Sequence, residues 1–234
     1  ILHSGEVDVF SHAILKQGLL EVVDSEPLSE EKFTILERFA KVFEQAYTRF
    51  LDLQKAEAQA REAQVEAALE RVRAASMAMH RTDQLPDVAL CLLQQFEQLA
   101  IPSWGAAITE VDEEKNTFQC YFADNTVAGE IQLLNTEEMP LDIFWIGRES
   151  IPLLSKGETD LTLIGEQDKI LEWIEWVRGN VSVERAERLE NLHIQRAYFH
   201  VVSYHGLSNI VFSSPEQLSL EHRMTVSRLA STFG

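Results

Sequence analysis

The chain has 234 residues, of which 45% are hydrophobic, and its formal net charge is −18. This composition is typical of a globular protein, and the negative charge argues against nucleic acid and anionic membrane surfaces as partners because both are bound through clustered Lys and Arg. Two cysteines cannot build a disulfide framework, and no apolar run reaches the roughly 20 residues that a spanning helix needs. We therefore expect a cytoplasmic chain that makes no membrane contact.

An internal repeat decides how the elements are interpreted. Residues 10–27 align with residues 198–215 at a constant offset of 188, and a two-residue insertion then carries the alignment into the following helix. The identities include His12 with His200, Gly18 with Gly206, and Pro27 with Pro215. A Gly, a Pro and an apolar helical face rarely stay in register by chance over about 35 positions, so the segments are interpreted as two copies of one folding unit.

Each copy is predicted to be a β-hairpin followed by a helix. Short runs rich in Val, Ile, Leu and Phe flank a Gly that is expected to supply the positive φ of a tight turn. A Pro ends the second strand, and Ser29 or Ser219 follows as the helix N-cap. The predicted strands are 7–15 and 19–24 in the first copy, and 197–204 and 207–212 in the second.

A single long helix is predicted from residue 29 to about residue 79. This stretch contains neither Pro nor Gly and is rich in Ala, Glu, Gln, Arg and Leu, which favour helix. Its apolar stripe has two interpretations: a few packed residues on a solvated linker helix, or the seam of a coiled-coil-type homodimer. The residues expected in that seam are Leu36, Phe39, Phe43, Phe50, Leu53, Val65, Leu69 and Val72.

The rest of the chain is predicted to form one α+β module. A helix over 85–99, capped by Thr82 or Asp83, precedes a hairpin of strands 104–111 and 117–122. Further strands are predicted over 129–134 and 159–164, and further helices over 140–154, 166–178 and 183–192. Together with the repeated hairpin, these elements indicate an antiparallel sheet flanked by helices.

This order of elements resembles a GAF domain, and residues 39–79 resemble the helix that joins domains in bacterial tandem-GAF signalling proteins, including sensor histidine kinases. The expected domains are 1–45, the last hairpin and helix of a first GAF-like module; 46–81, the connecting signalling helix; and 82–234, a second GAF-like module. The resemblance implies a sensor that binds a small molecule or a partner and passes the signal along a dimeric helix. The effector is expected outside this chain, in a longer natural protein.

Three functional alternatives stay open from the sequence. The chain is either such a sensor, a ligand-free dimerisation and assembly module, or part of a histidine kinase with His80 as the phosphoacceptor. The residues after His80 match the phosphoacceptor pattern poorly, because Arg81 stands where an acidic residue is usual. The commonest catalytic and phosphate-binding motifs are missing, so we expect no enzyme activity and no metal, and the sequence indicates no particular cofactor.

Three residues are candidates for ligand binding. Trp145 lies in an apolar segment where a lid over the sheet would sit, although a Trp in such a segment usually belongs to the core. His200 and Tyr198 share one face of a predicted strand, and His200 is either a hydrogen-bonding group of a pocket or a satisfied core histidine.

The N-terminal hairpin is expected to need a cover. Its predicted strands have exposed edges and an apolar face without a partner. We expect residues 1–28 to pair with a second copy of the chain or to pack on the neighbouring module.

Overall fold

The computed structural model describes residues 8–124 and 132–233. The chain divides into two compact units, Ile1–Ala63 and Gln64–Gly234. The structure contains six α-helices and nine β-strands over the described residues, and both of its sheets are antiparallel. An α+β architecture with a long helix is therefore confirmed.

The first unit contains a two-stranded hairpin and the beginning of the long helix. Strands β1 (Val9–Leu15) and β2 (Gly18–Asp24) pair antiparallel, with Leu15 opposite Gly18 across the turn. A small core forms where Ala13 of the hairpin meets Leu36 and Ala40 of the helix. Leu36 is 6% exposed in this core, so it is buried within its own unit instead of facing a dimer partner as expected.

Helix α1 (Glu30–Ala78) is continuous over 49 residues, as predicted. Ser29 Oγ accepts a hydrogen bond from the backbone N–H of Lys32 at 3.4 Å, which confirms Ser29 as the N-cap. Glu30 and Glu31 occupy the first turn, where a negative charge is favourable at the positive end of the helix dipole.

The second unit is built on one antiparallel sheet in the order β5-β4-β3-β9-β8-β7, with the short β6 paired to β4. The strands are β3 (Gly105–Asp112), β4 (Thr117–Asp124), β5 (Gln132–Asn135), β6 (Met139–Pro140), β7 (Asp160–Gly165), β8 (Ala197–His205) and β9 (Ser208–Ser214). The central position of β3 and β9 follows from their apolar residues, which are buried on both faces of the sheet.

Helices cover both faces of this sheet. They are α2 (Leu85–Gln98), α3 (Trp145–Leu154), α4 (Gln167–Asn180), α5 (Val183–Asn191) and α6 (Leu220–Ala230). One core lies between the sheet and α2, α6 and the last turns of α1, and the other lies between the sheet and α3, α4 and α5. Because successive residues of a strand point to opposite faces, each central strand contributes to both cores.

The second half of the α1 stripe is buried in the second unit. Val65, Leu69 and Val72 are 3%, 6% and 0% exposed and pack in the same core as α2 and α6. These three residues therefore cannot contribute to the predicted dimer seam. The compact second unit accordingly begins at residue 64, within the helix predicted over 46–81 to connect the two modules.

The two hairpin-helix segments correspond at a constant offset of 190, which corrects the offset of 188 predicted for the hairpins. Gly18 and Ser208 begin the second strands, and Glu30 and Leu220 begin the helices. Gly206 has a φ of +54° in its turn, whereas Gly18 begins a strand and has no positive φ. The shared His and Gly residues misled the alignment because hairpin geometry is set by the pairing register and not by these identities.

Smaller differences concern the ends of elements. The N-cap of α2 is Gln84 and not the predicted Thr82 or Asp83, because a 3₁₀ turn over Thr82–Gln84 comes before it. The helix predicted over 140–154 begins only at Trp145. Residues 129–131 of the strand predicted over 129–134 lie outside the described residues. So does residue 7 of the first predicted strand, and so do residues 1–7 of the N-terminal segment 1–28 that is expected to be covered.

No helix among the described residues combines the length and the apolar character needed to cross a membrane.

Candidate functional site

A cavity lies between the sheet and the three helices α3, α4 and α5 of the second unit. The space open to the centre of a water molecule is about 80 Å³. Its floor is formed by β3, β4, β8 and β9, where Ala107 supplies a small side chain and Val211 a medium one. Small residues at the middle of the floor leave room that large side chains would fill.

The walls of the cavity are mostly aromatic. Phe144 of the segment before α3 stacks on Trp176 of α4, with ring centroids 4.4 Å apart, and Trp176 also contacts Phe122 at 6.2 Å. Trp173 meets Phe199 edge to face at 5.0 Å. The lining rings are Phe118, Phe122, Phe144, Trp173, Trp176 and Phe199. Such walls favour an apolar, planar molecule.

Gly147 allows the first turn of α3 to lie close to the chain that precedes it. A Cβ at this position would overlap the carbonyl oxygen of Leu141. Both residues line the cavity, so the absence of a side chain at position 147 sets how closely the helix covers it.

A buried ion pair lies at one end of the cavity. Arg185 Nη2 is 2.5 Å from Asp124 Oδ2, and the two side chains are 5% and 0% exposed. Ser182 caps α5 by accepting a hydrogen bond from the backbone N–H of Arg185, which places this residue in the first turn, and Asp124 is the last residue of β4. Burial lowers the pKa of Arg185 and the Asp124 carboxylate opposes this effect, so the guanidinium stays charged at neutral pH.

Arg185 keeps unused hydrogen-bond donors. Its Nε and Nη1 atoms are buried and have no hydrogen-bond partner among the described residues. The guanidinium carbon lies 5.3 Å from the centroid of the Phe122 ring, so the charged group faces the aromatic wall. A buried donor without a partner costs about 1–3 kcal/mol, which a molecule in the cavity would recover by accepting a hydrogen bond.

Two further lining residues carry buried polar atoms without a partner within the described ranges: Trp176 through Nε1 and Asn209 through Oδ1. Asn209 Nδ2 donates to the carbonyl oxygen of Leu207 at 2.7 Å, which fixes the amide so that its oxygen is the free acceptor. The cavity therefore presents donors from Arg185 and Trp176, and one acceptor from Asn209.

Thr109 and Cys120 complete the polar lining without adding charge. Thr109 Oγ1 lies 3.3 Å from Cys120 Sγ. Burial raises the pKa of the Cys120 thiol to about 12, so it is uncharged at neutral pH. This agrees with the sequence pattern, in which Cys120 alternates with Phe118 and Phe122 along its strand.

The structure places His200 on the opposite face of the sheet from the cavity, as a core histidine. Ser214 Oγ donates to the carbonyl oxygen of Glu216, so it accepts from His200 Nε2 at 3.0 Å. His200 Nδ1 then accepts from Thr162 Oγ1 at 3.2 Å. Desolvation lowers the pKa of His200 to about 4, which the nearby Arg223 reinforces and Asp160 opposes. The imidazole is thus neutral and fully hydrogen-bonded.

Tyr198 and Trp145 are also outside the lining of the cavity. Tyr198 lies two residues before His200 on the same strand face and is partly exposed. Trp145 is buried, with its ring edge to face against Phe199 at 5.1 Å and Lys169 Nζ 4.6 Å from its centroid. It supports the wall from behind, and a ligand-binding role for these two residues and for His200 stays a prediction.

His80 is exposed and lies two residues beyond the end of α1. Its backbone N–H donates to Gln84 Oε1 at 2.7 Å, which anchors the 3₁₀ turn before α2. In the part of the chain that the structure describes, no group of three or more His, Cys, Asp or Glu side chains is placed to hold a metal ion.

A second surface of interest lies in the first unit, on α1. Phe43, Tyr47 and Phe50 form a row of rings with centroids 5.9 and 6.2 Å apart. Phe39, Phe43, Phe50 and Leu53, four of the eight residues predicted for the dimer seam, are each more than half exposed. We call Phe39, Phe43, Tyr47, Phe50 and Leu53 the aromatic row.

The polar residues of the cavity were missed by sequence reasoning. Arg185 lies in a stretch that reads only as a charged helix, and nothing in its spacing indicates that it points inward to Asp124. The helical spacing of Trp173 and Trp176 predicts two core residues, and the ring of Trp176 does lie in the core, but its indole N–H has no partner among the described residues. A buried donor without a partner becomes visible only when the three-dimensional contacts are known.

No protein-family model and no curated protein matches this chain, so the interpretation of the site rests on its geometry.

Proposed function

We propose that this chain is a GAF-like sensory module that binds a small molecule in the cavity and passes the binding event to helix α1, for an effector outside the chain. The observation that carries the proposal is the aromatic cavity, whose lining includes buried polar atoms of Arg185, Trp176 and Asn209 without partners in the described ranges. Unused buried polar atoms are costly, so they point to an occupant that pairs with them.

The sheet offers a physical route from the cavity to α1. Ala107 of β3 faces the cavity, while its neighbours Ala106 and Ile108 lie in the core that contains Val72 of α1. A ligand that shifts β3 by a fraction of an ångström must therefore also change the packing around the last turns of α1. The relay requires a difference in ligand affinity between two arrangements of this packing.

The relay is proposed to act in a homodimer formed through the aromatic row of α1. Rings that stack along one helix face and stay exposed are unusual for a surface that never meets a partner. The residues buried within their own units, Leu36 and Val65 among them, are excluded from this interface. We propose no catalytic step, since among the described residues that line the cavity the one charged side chain is Arg185, which is paired with Asp124.

Thermal-shift screening with small metabolites tests ligand binding. We expect a saturable rise in melting temperature, worth about 2.7 kcal/mol at a ligand concentration of 100 times Kd. Ala107→Leu, which places a larger side chain in the floor of the cavity, is expected to abolish the rise. Leu171→Ala, at an exposed position of α4, is the matched control and is expected to preserve it. A rise that persists unchanged in Ala107→Leu would place binding elsewhere.

A ligand-free assembly module is the second candidate, favoured by the aromatic row itself. For both functions, we expect Phe43→Ser combined with Phe50→Ser to weaken self-association by about tenfold or more, because each change removes an exposed ring from the interface. Sedimentation velocity over a dilution series measures this effect, with Leu171→Ser as the control. A flat metabolite screen together with this loss of self-association would favour the assembly module, and unchanged sedimentation would contradict a dimer through this row.

A further inference from the structure

The chemistry of the cavity lining limits what the proposed sensor can bind. This inference rests on the proposed function, since it concerns the ligand of the same site. Of the lining residues within 8–124 and 132–233, Arg185 is the one ionisable side chain apart from the neutral thiol of Cys120, and Asp124 neutralises it at 2.5 Å. The polar end of the cavity therefore has no net charge to offer a ligand.

A negatively charged ligand would meet a repulsive partner. A carboxylate that accepts a hydrogen bond from Arg185 would lie close to the Asp124 carboxylate, which is 0% exposed and thus unscreened by water. Two carboxylates sharing one buried guanidinium leave an uncompensated charge, which costs far more than one hydrogen bond returns. An uncharged acceptor, such as an amide carbonyl, satisfies the same donors without this cost.

A purely apolar ligand would leave the polar atoms unpaired. Arg185 Nε and Nη1 and Trp176 Nε1 need an acceptor, and Asn209 Oδ1 needs a donor. These atoms lie toward different ends of the cavity floor: Arg185 pairs with Asp124, which lies opposite Gly105, whereas Asn209 lies opposite Thr109 on the neighbouring strand. Four residues of strand separate these positions, which corresponds to about 13 Å.

The volume of the cavity and its aromatic walls limit the size and shape of the ligand. The 80 Å³ space is about half the roughly 150 Å³ of an engineered cavity that binds benzene, so a ligand is limited to one aromatic ring, part of which lies in the open mouth of the cavity. The stacked Phe144 and Trp176 rings favour a flat molecule.

We infer that the cavity binds an uncharged, planar, single-ring aromatic compound that carries a carbonyl or ring-nitrogen acceptor for the Arg185 and Trp176 donors. A polar N–H or O–H of the same compound, or a water beside it, pairs with Asn209. Metabolites of this class are aromatic amides and neutral nitrogen heterocycles, in contrast to aromatic acids of the same shape.

Three single-ring probes test the inference: benzamide, benzoate of the same shape, and the smaller, apolar toluene. Isothermal titration of the 234-residue chain at neutral pH is expected to show benzamide binding at least about tenfold more tightly than benzoate and than toluene. Ala107→Leu should remove the binding, and Leu171→Ala should preserve it.

Trp176→Phe sharpens the assignment, because it keeps a ring in the wall and removes only the indole N–H. We expect this variant to weaken benzamide by about three- to tenfold and to leave toluene unchanged. The double variant Asp124→Leu with Arg185→Met removes the ion pair without leaving either charge buried alone, and is expected to abolish the preference for benzamide over toluene.

Benzoate binding as tightly as benzamide, toluene binding as tightly as benzamide, or no binding by any probe would each overturn the inferred ligand class. None of these results by itself overturns the sensory function, which fails only when the broader metabolite screen is flat.

Discussion

The two hairpin-helix segments share their layout but differ in what covers them. In both segments a seven-residue second strand is followed, after five residues, by a helix capped by Ser. The second copy, β8-β9-α6, is buried in the two cores of its unit, while the first copy packs one hairpin face on α1 and leaves the other exposed. A similar local pattern thus produces the same backbone elements, and the surroundings decide which side chains become a core.

One pair of equivalent positions shows this most clearly. At the offset of 190, Phe10 of β1 corresponds to His200 of β8. Phe10 is 55% exposed, whereas His200 is 1% exposed with both ring nitrogens hydrogen-bonded. The apolar Phe10 is exposed and the polar His200 is buried, so the type of residue does not determine which of the two positions is buried. Phe10 lies opposite Val23 on the exposed face of the first hairpin, and the predicted cover of this segment stays a prediction.

Truncating one core ring in the second copy should give the largest effect. We expect Phe212→Ala to lower the free energy of unfolding by about 3–5 kcal/mol, because Phe212 is buried between Phe96 and His200. Val23→Ala, at an exposed position of the first hairpin, should change it by less than about 0.5 kcal/mol. Urea denaturation followed by far-UV circular dichroism measures both variants, because strands and helices of both units contribute to the signal. Equal losses in the two variants would remove the contrast between the copies.

The buried His200 should make stability depend on pH. Its pKa in the folded state is about 4, below the ordinary value of 6.5, so the unfolded chain takes up a proton first as the pH falls. The free energy of unfolding should therefore decrease by about 2–3 kcal/mol between about pH 7 and about pH 4.5 from this residue alone.

Replacement tests the assignment of this pH dependence to His200. His200→Gln is expected to flatten the curve over that window, whereas His12→Gln, which removes an exposed imidazole paired with Glu21 in the first copy, should leave it in place. A curve of the same steepness in His200→Gln would show that other groups cause the acid sensitivity.

The smallest expected effect compares the two helix caps. Ser219 Oγ accepts from the backbone N–H of His222 at 3.1 Å, and Ser29 Oγ accepts from Lys32 at the longer distance of 3.4 Å. Ser219→Ala should lower the free energy of unfolding by about 1 kcal/mol, and Ser29→Ala by less. Urea denaturation followed by far-UV circular dichroism measures both, and a larger loss in Ser29→Ala would contradict the order.

Much of the fold was predictable because it depends on local signals. The absence of Pro and Gly between residues 30 and 78 predicts one helix, and the β-rich runs on both sides of the polar residues 112–116 predict the hairpin of β3 and β4. Which apolar stripe belongs to a core was not predictable: Val72 and Phe43 lie on the same predicted seam, yet one is buried in its own unit and the other is exposed. Sequence periodicity reports that a face is apolar, but not what covers it.

Only the region of the site was suggested by the sequence. Trp145 was the aromatic residue proposed to lie at a cavity beside the sheet, whereas the cavity in the structure is lined by Trp173 and Trp176 and not by Trp145. Its chemistry depends on Arg185 meeting Asp124, two residues far apart in the sequence that long-range packing brings together. Local pattern reasoning carries no information about such a pair.

Gly147 restricts how this site can diversify. No side chain fits at that position without displacing the backbone of Leu141, so the distance between α3 and the floor of the cavity is fixed by two stretches of main chain. Paralogues or engineered variants with new preferences would have to keep this glycine and alter the neighbouring side chains of Ser150 or Ile151, which also border the space. Under the proposed function, ligand selectivity can therefore change through the side chains that border the cavity, but not through the distance between α3 and the cavity floor.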